Sequence, residues 1–151
     1  MAVRRRIRRS FNIVQGVLAS ASRTVLSPQF IVFFITIIYI HSDDKVLSVI
    51  VAQLNKIAPL KPIATYINSH KVQASAIISC IAALFASNVS VTSSLQPLAF
   101  YLAKEQGDYR VYIPSYFLLT WWVRTRSQRL RIVIAGIILA LYSWGLLGVT
   151  L

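Results

Sequence analysis

The chain has 151 residues; 56% are hydrophobic and only 13% charged, yet 16 Lys+Arg against 4 Asp+Glu give a formal charge of +12. Ordinary soluble domains hold about 45–50% apolar and about 25% charged residues, so this composition excludes an ordinary soluble globule, and a disordered chain would be more polar still. A single cysteine, Cys80, excludes a disulfide-stapled secreted module. The expected fold class is all-α: a polytopic transmembrane helical bundle, with about four hydrophobic helices behind a basic amphipathic N-terminal helix.

Residues 1–23 hold six arginines and no acid. At helical spacing Ile7, Phe11, Val14 and Leu18 share one face, with Arg5, Arg8, Arg9, Asn12 and Gly16 opposite. This pattern predicts a basic helix lying at an anionic surface. Arg4, Arg5, Arg6, Arg8 and Arg9 are therefore candidate contacts for anionic lipid or RNA. Guanidinium groups neutralise phosphates and release counterions, which gives salt-dependent, sequence-blind attraction. An arginine-rich, acid-poor start also suits a mitochondrial presequence, so a mitochondrial inner-membrane protein stays open as an alternative.

Residues 24–151 read as the transmembrane domain. Thr24 to Ser42 is uncharged, which predicts an apolar segment over 25–41. No A-x-A site follows, so this segment reads as an uncleaved anchor. Residues 46–63 contain Lys56, Pro59 and Pro62 and read as an interfacial or re-entrant segment. A second apolar segment is expected over 74–91, and Pro97 is expected to open a short helix, 97–106, closed by Gly107. Residues 111–123 carry Pro114 near their start and end in Trp121 and Trp122. Residues 132–151 are free of charge and, at 1.5 Å per residue, reach roughly 30 Å, the thickness of the hydrocarbon layer. Trp121, Trp122, Tyr142 and Trp144 are the candidate interface aromatics.

A second basic cluster, Arg124, Arg126, Arg129 and Arg131, precedes the last apolar segment. These side chains suit the lipid phosphate layer or an anionic cargo. The tendency of positive loops to stay on the cytosolic face places both clusters on one side. That needs an even number of crossings between them, so one apolar segment is expected to dip without spanning.

Ser75, Ser79, Ala83 and Ser87 recur every fourth residue, and Gly136 and Ala140 repeat the spacing in the last segment. Small residues let helices approach closely. They serve contact within one chain or between copies, the latter building a homo-oligomer or a two-dimensional array. No catalytic residues are expected. His41 and His70 have no second ligand at metal spacing, and no Gly-rich loop or Ser/His/Asp set is present. No metal, cofactor or small-molecule substrate is expected, and the chain does not read as an enzyme.

Several short motifs carry a resemblance. They are Pro62-Ile63-Ala64-Thr65-Tyr66-Ile67, then Tyr112-Ile113-Pro114, then Trp121-Trp122-Val123-Arg124-Thr125-Arg126 leading to Arg129, and Tyr142-Ser143-Trp144-Gly145. From Pro62 to Gly145 the chain resembles the small virion membrane proteins of negeviruses and kitavirids, positive-strand RNA viruses of insects and plants. The order of four apolar segments, with an arginine-rich stretch before the last, is similar too. The resemblance implies a structural protein of the virion membrane, made in host endomembrane, with its basic faces toward viral RNA or nucleocapsid. It implies no catalytic residues. The rival class is a viroporin-like or membrane-remodelling protein of the infected cell.

Overall fold

The computed structural model describes residues 2–43, 45–86, 91–103, 105 and 107–143, with side chains from Ile13 onward except at positions 91, 92 and 142. Among the described residues the chain is all-helical. Eight α-helices follow in order: α1 Ala2–Val25, α2 Pro28–Ser42, α3 Lys45–Asn55, α4 Lys61–Ser69, α5 Lys71–Phe85, α6 Val91–Leu102, α7 Tyr112–Arg124 and α8 Gln128–Ser143. Short 3-10 turns at Ala58–Leu60 and Tyr109–Val111 lead into α4 and α7.

Local chemistry sets several of these ends. Ser27 stops α1 and starts α2: its Oγ accepts the Phe30 N–H at 3.3 Å, and Pro28 stands at the first helical position, where a missing N–H costs nothing. Asp108 does the same for the turn before α7, accepting the Arg110 N–H at 2.9 Å. Gln73 closes α6 from a distance. Its Nε2 donates to the carbonyls of Phe100 (2.7 Å), Tyr101 (3.2 Å) and Ala103 (2.7 Å), while its Oε1 accepts the Tyr66 hydroxyl at 2.8 Å. Those carbonyls are orphans of a helix end, and a buried side-chain amide answers them.

The main core lies where α2, α5, α6 and α7 meet, with Phe33, Ile37, Ala76, Cys80, Ala83, Phe100, Tyr112 and Tyr116 in mutual contact. Large residues on α2 sit against small ones on α5, so the two backbones come close. Phe33 stacks on Tyr116 with ring centroids 3.8 Å apart and planes at 11°. A polar chain crosses this core: Gln29 Nε2 donates to Gln96 Oε1, and Gln96 Nε2 to Thr120 Oγ1, both at 3.2 Å. Two smaller clusters flank it. One joins Val51, Ala64, Ile67 and Ala74; the other joins Leu118, Trp121 and Ile134, with Val17 and Ala21 of α1 against them.

The expected spans need correction. The segment expected over 25–41 is the 15-residue α2, and 74–91 is the 15-residue α5, which ends at Phe85 with Ala86 as its cap. At 1.5 Å per residue each reaches only about 22 Å, short of the roughly 30 Å hydrocarbon layer. Among the described residues no single helix is long and apolar enough to cross a membrane. Ile13–Val25 with Pro28–Ser42 meets both criteria as a pair, bent by 53°. The segment 46–63 is split between α3, a turn and the start of α4. The segment 111–123 is α7 with the last residue of its preceding turn. In the segment expected over 132–151 the described helix is α8, which starts earlier, at Gln128, and is described to Ser143; residues 144–151 lie outside the described ones. Pro97 does not open a helix over 97–106; it lies inside α6, which ends at Leu102.

Candidate anion-binding groove

The basic N-terminal helix is docked on the bundle through a face beside its Val14–Leu18 stripe. Val17 and Ala21 pack against the α7–α8 cluster and Thr24 is buried, whereas Val14 and Leu18 stay exposed. The docking is fixed by one polar contact: Trp121 Nε1 donates to Ser20 Oγ at 3.0 Å. Thr24 Oγ1 donates to the Ser20 carbonyl at 3.0 Å, so its buried hydroxyl is satisfied within the helix.

The turn after α7 is held as firmly. Thr125 leaves the helix with extended geometry, and its Oγ1 donates to the Trp121 carbonyl at 2.8 Å. Arg131 reaches back from α8, donating through Nε to the Thr125 carbonyl (2.6 Å) and through its terminal nitrogen to Val123 (3.4 Å). Its guanidinium also lies 5.9 Å from the Trp122 ring centroid, within cation–π range. Arg131 thus caps α7 and braces the turn; it is committed inside the chain.

These two anchors leave a groove of about 750 Å³ between α1 and the α7–α8 turn. Ser20, Arg23 and Thr24 line one wall, and Arg124, Thr125 and Arg126 the other. Gly16 and Ala19 complete it, and a Cβ at Gly16 would meet nothing within 4 Å. None of the lining residues is acidic. Three exposed guanidinium groups therefore share one concavity without a counter-charge. Ser20 accepts from Trp121 and lines the groove on the α1 wall. Such an arrangement can hold phosphate or carboxylate oxygens.

The expected site residues divide. Arg124 and Arg126 are in the groove, Arg129 is exposed outside its lining, and Arg131 is turned inward. The backbone of Arg4, Arg5, Arg6, Arg8 and Arg9 belongs to α1, and their side chains lie outside the described ones. Trp121 is buried on Ser20 and Trp122 half-buried beneath Arg131. The side chains of Tyr142 and Trp144 lie outside the described ones. Ser75, Ser79 and Ala83 are buried within the chain. Ser79 Oγ donates to the Ser75 carbonyl and Ser75 Oγ to that of Val72, both at 2.7 Å. Ser87 falls outside the described residues. Gly136 is exposed, with nothing within 4 Å of a Cβ placed there, and Ala140 is half-buried.

Sequence reasoning missed Ser20 and Arg23 as site residues. A signal existed: Gly16, Ala19, Ser20 and Arg23 follow the i, i+3, i+4, i+7 spacing of one helix face, and that face holds no large apolar residue. His41 Nε2 lies 2.7 Å from Ser75 Oγ, and its ring stacks on Tyr109 at 4.2 Å. His70 stacks on Tyr66 at 4.7 Å. Among the described residues no three of His, Cys, Asp and Glu gather to hold a metal ion. Comparison with family models, curated proteins and solved structures returns no match for the chain.

Proposed function

We propose that the chain is a structural protein of a lipid layer, with apolar helices in the hydrocarbon and its arginine-lined end at the phosphates. The supporting observation is the pairing of two surfaces on one body. On α2, Ile31, Phe34 and Ile35 are exposed; on α8, Ile132, Val133, Ile137 and Leu139 are exposed. Fully burying such a side chain is worth about 1.5–3 kcal/mol, so leaving seven of them in water forgoes on the order of 10 kcal/mol, comparable to a whole domain's stability. Lipid contact recovers that energy.

The helices sit in the layer as one bent pair and part-depth elements, since none of the described ones is long and apolar enough to cross alone. The resemblance to virion membrane proteins makes the layer that of a virus particle, assembled in host endomembrane. The open Gly136 and Ala140 spacing on α8 is where copies pack laterally, while the α5 spacing is spent inside the chain. The basic end then faces anionic headgroups and, beyond them, viral RNA or nucleocapsid.

Vesicle flotation tests this reading. The chain floats with vesicles, stays with them in high salt and is released by detergent; recovery in the aqueous layer without surfactant overturns it. Purified particles contain the chain in many copies if the layer is a virion membrane.

A further inference from the structure

The groove between α1 and the α7–α8 turn has a composition that selects among anions. We propose that it is a discrete headgroup site for a membrane lipid ending in a phosphomonoester, in preference to one with only a phosphodiester. The proposal rests on the membrane reading above for the source of its ligand.

Charge is the first argument. Arg23, Arg124 and Arg126 bring three positive charges to the groove and its lining brings no negative one. A phosphodiester supplies one negative charge. A phosphomonoester carries about −1.5 to −2 near pH 7, because its second pKa is near 6, and offers three strong acceptor oxygens. It matches the excess better and can engage all three forks at once.

Geometry is the second argument. The three guanidinium groups do not belong to one flexible stretch. Arg23 is set by the Trp121–Ser20 hydrogen bond, and Arg124 and Arg126 by the turn that Arg131 and Thr125 brace. Both walls are thus prearranged, which lowers the ordering cost of binding. Ser20 adds an uncharged polar side chain to the α1 wall. The volume of about 750 Å³ leaves room for a headgroup.

The location argues for lipid over nucleic acid. The exposed Ile13 lies one turn before Gly16 on the groove's side of α1, which gives an acyl chain an apolar contact next to the phosphate. The lining residues include no aromatic ring on which a base could stack.

The test measures binding of short-chain phosphatidate and short-chain phosphatidylglycerol to the full chain in neutral detergent micelles, by calorimetry or native mass spectrometry. Phosphatidate is expected to bind about tenfold more tightly at neutral pH, and this preference is expected to vanish near pH 5, below the phosphomonoester's second pKa of about 6. The groove's lining holds no histidine and no carboxylate. The double substitution Arg23→Gln with Arg124→Gln abolishes the preference; Lys56→Gln, an exposed charge removed elsewhere, leaves it intact. Arg126→Gln, a single substitution at an exposed lining position, lowers the preference several-fold, which covers the case of a misfolded double variant.

Equal binding of the two lipids, or a preference that survives both Arg23→Gln/Arg124→Gln and Arg126→Gln, overturns the proposal. Glycerol phosphate binding as tightly as phosphatidate replaces the lipid with a free phosphomonoester and overturns the lipid source. A short RNA displacing phosphatidate at equal concentration assigns the groove to nucleic acid instead. Micelle binding reads the groove independently of flotation, so a chain that binds phosphatidate but fails to float contradicts membrane residence and not the groove.

Discussion

Trp121 and Ser20 are 101 positions apart in sequence and joined by a 3.0 Å hydrogen bond. That contact seats α1 on α7 and brings Arg23 to Arg124 and Arg126. Trp121→Phe keeps the ring and removes the donor. A net hydrogen bond is worth about 0.5–1.5 kcal/mol, enough to loosen α1 without unfolding the bundle. Trypsin cleavage after Arg23 in detergent is therefore expected to speed up several-fold, while helix content stays the same. An unchanged cleavage rate would show that Val17 and Ala21 alone hold α1.

Two buried polar side chains should respond in opposite directions. Gln73→Leu strips the donor from the carbonyls at the end of α6 and leaves the Tyr66 hydroxyl without its acceptor. Each orphaned buried group costs about 1–3 kcal/mol, so the unfolding midpoint in detergent falls. The Tyr116 hydroxyl is buried with no hydrogen-bond partner among the described residues, so Tyr116→Phe keeps the stack on Phe33 and removes an unsatisfied group. Its midpoint stays level or rises by the equivalent of about 1 kcal/mol.

The small-residue spacings separate packing within the chain from packing between copies. Gly136→Ala is expected to leave the fold intact and to stabilise α8 by about 0.5–1 kcal/mol, because glycine costs that much in a helix interior. Gly136→Leu keeps the monomer but lowers cross-linking between copies in vesicles if α8 is the lateral contact. Ser79→Leu, by contrast, places bulk in a fully buried position between helices and reduces the unfolding midpoint itself. Equal cross-linking in wild type and Gly136→Leu removes α8 from the lateral interface.

Much of the helical content was legible from sequence, because apolar runs, Ser27-Pro28 and the charge clusters are local signals. The groove was only half legible. The two basic clusters were seen, yet the described lining joins Arg124 and Arg126 with Arg23, which was not singled out; the side chains of Arg4–Arg9 lie outside the described ones. Arg23 is brought there by the Trp121–Ser20 contact, which no periodicity encodes. Arg131 looked like its neighbours in a run of charges; only the carbonyls of Val123 and Thr125 distinguish it. The packing of α1 on the bundle was not legible, because Val14 and Leu18 give the stronger apolar stripe and stay exposed, while the smaller Val17 and Ala21 fit the bundle. The break after Phe85 has no proline or glycine to announce it.

Alkaline pH offers a further check. Burial pushes the Tyr66 phenol above its ordinary value of 10.0, with Tyr101, Glu105 and Tyr112 adding to the shift. The protonated form is also the one that donates to Gln73. A raised acid pKa means the folded chain holds its proton longer than the unfolded chain, so stability is retained below pH 10 and falls as pH rises above it. Unfolding midpoints should be flat from neutral pH to that point and then decline. Tyr66→Phe lowers the plateau, because Gln73 loses a donor, and makes the alkaline decline shallower. A decline of unchanged steepness would place its origin elsewhere.

Collision accessibility of spin labels in vesicles tests most directly whether this body lives in lipid with its arginine-lined end at the phosphates. Single labels are placed at Ile35 on α2, Leu139 on α8 and Ser127 in the turn beside the groove. The account predicts that oxygen, which concentrates in hydrocarbon, reaches the labels at 35 and 139, while a water-soluble nickel chelate reaches the label at 127. Nickel access at 35 and 139 equal to that at 127 would contradict it.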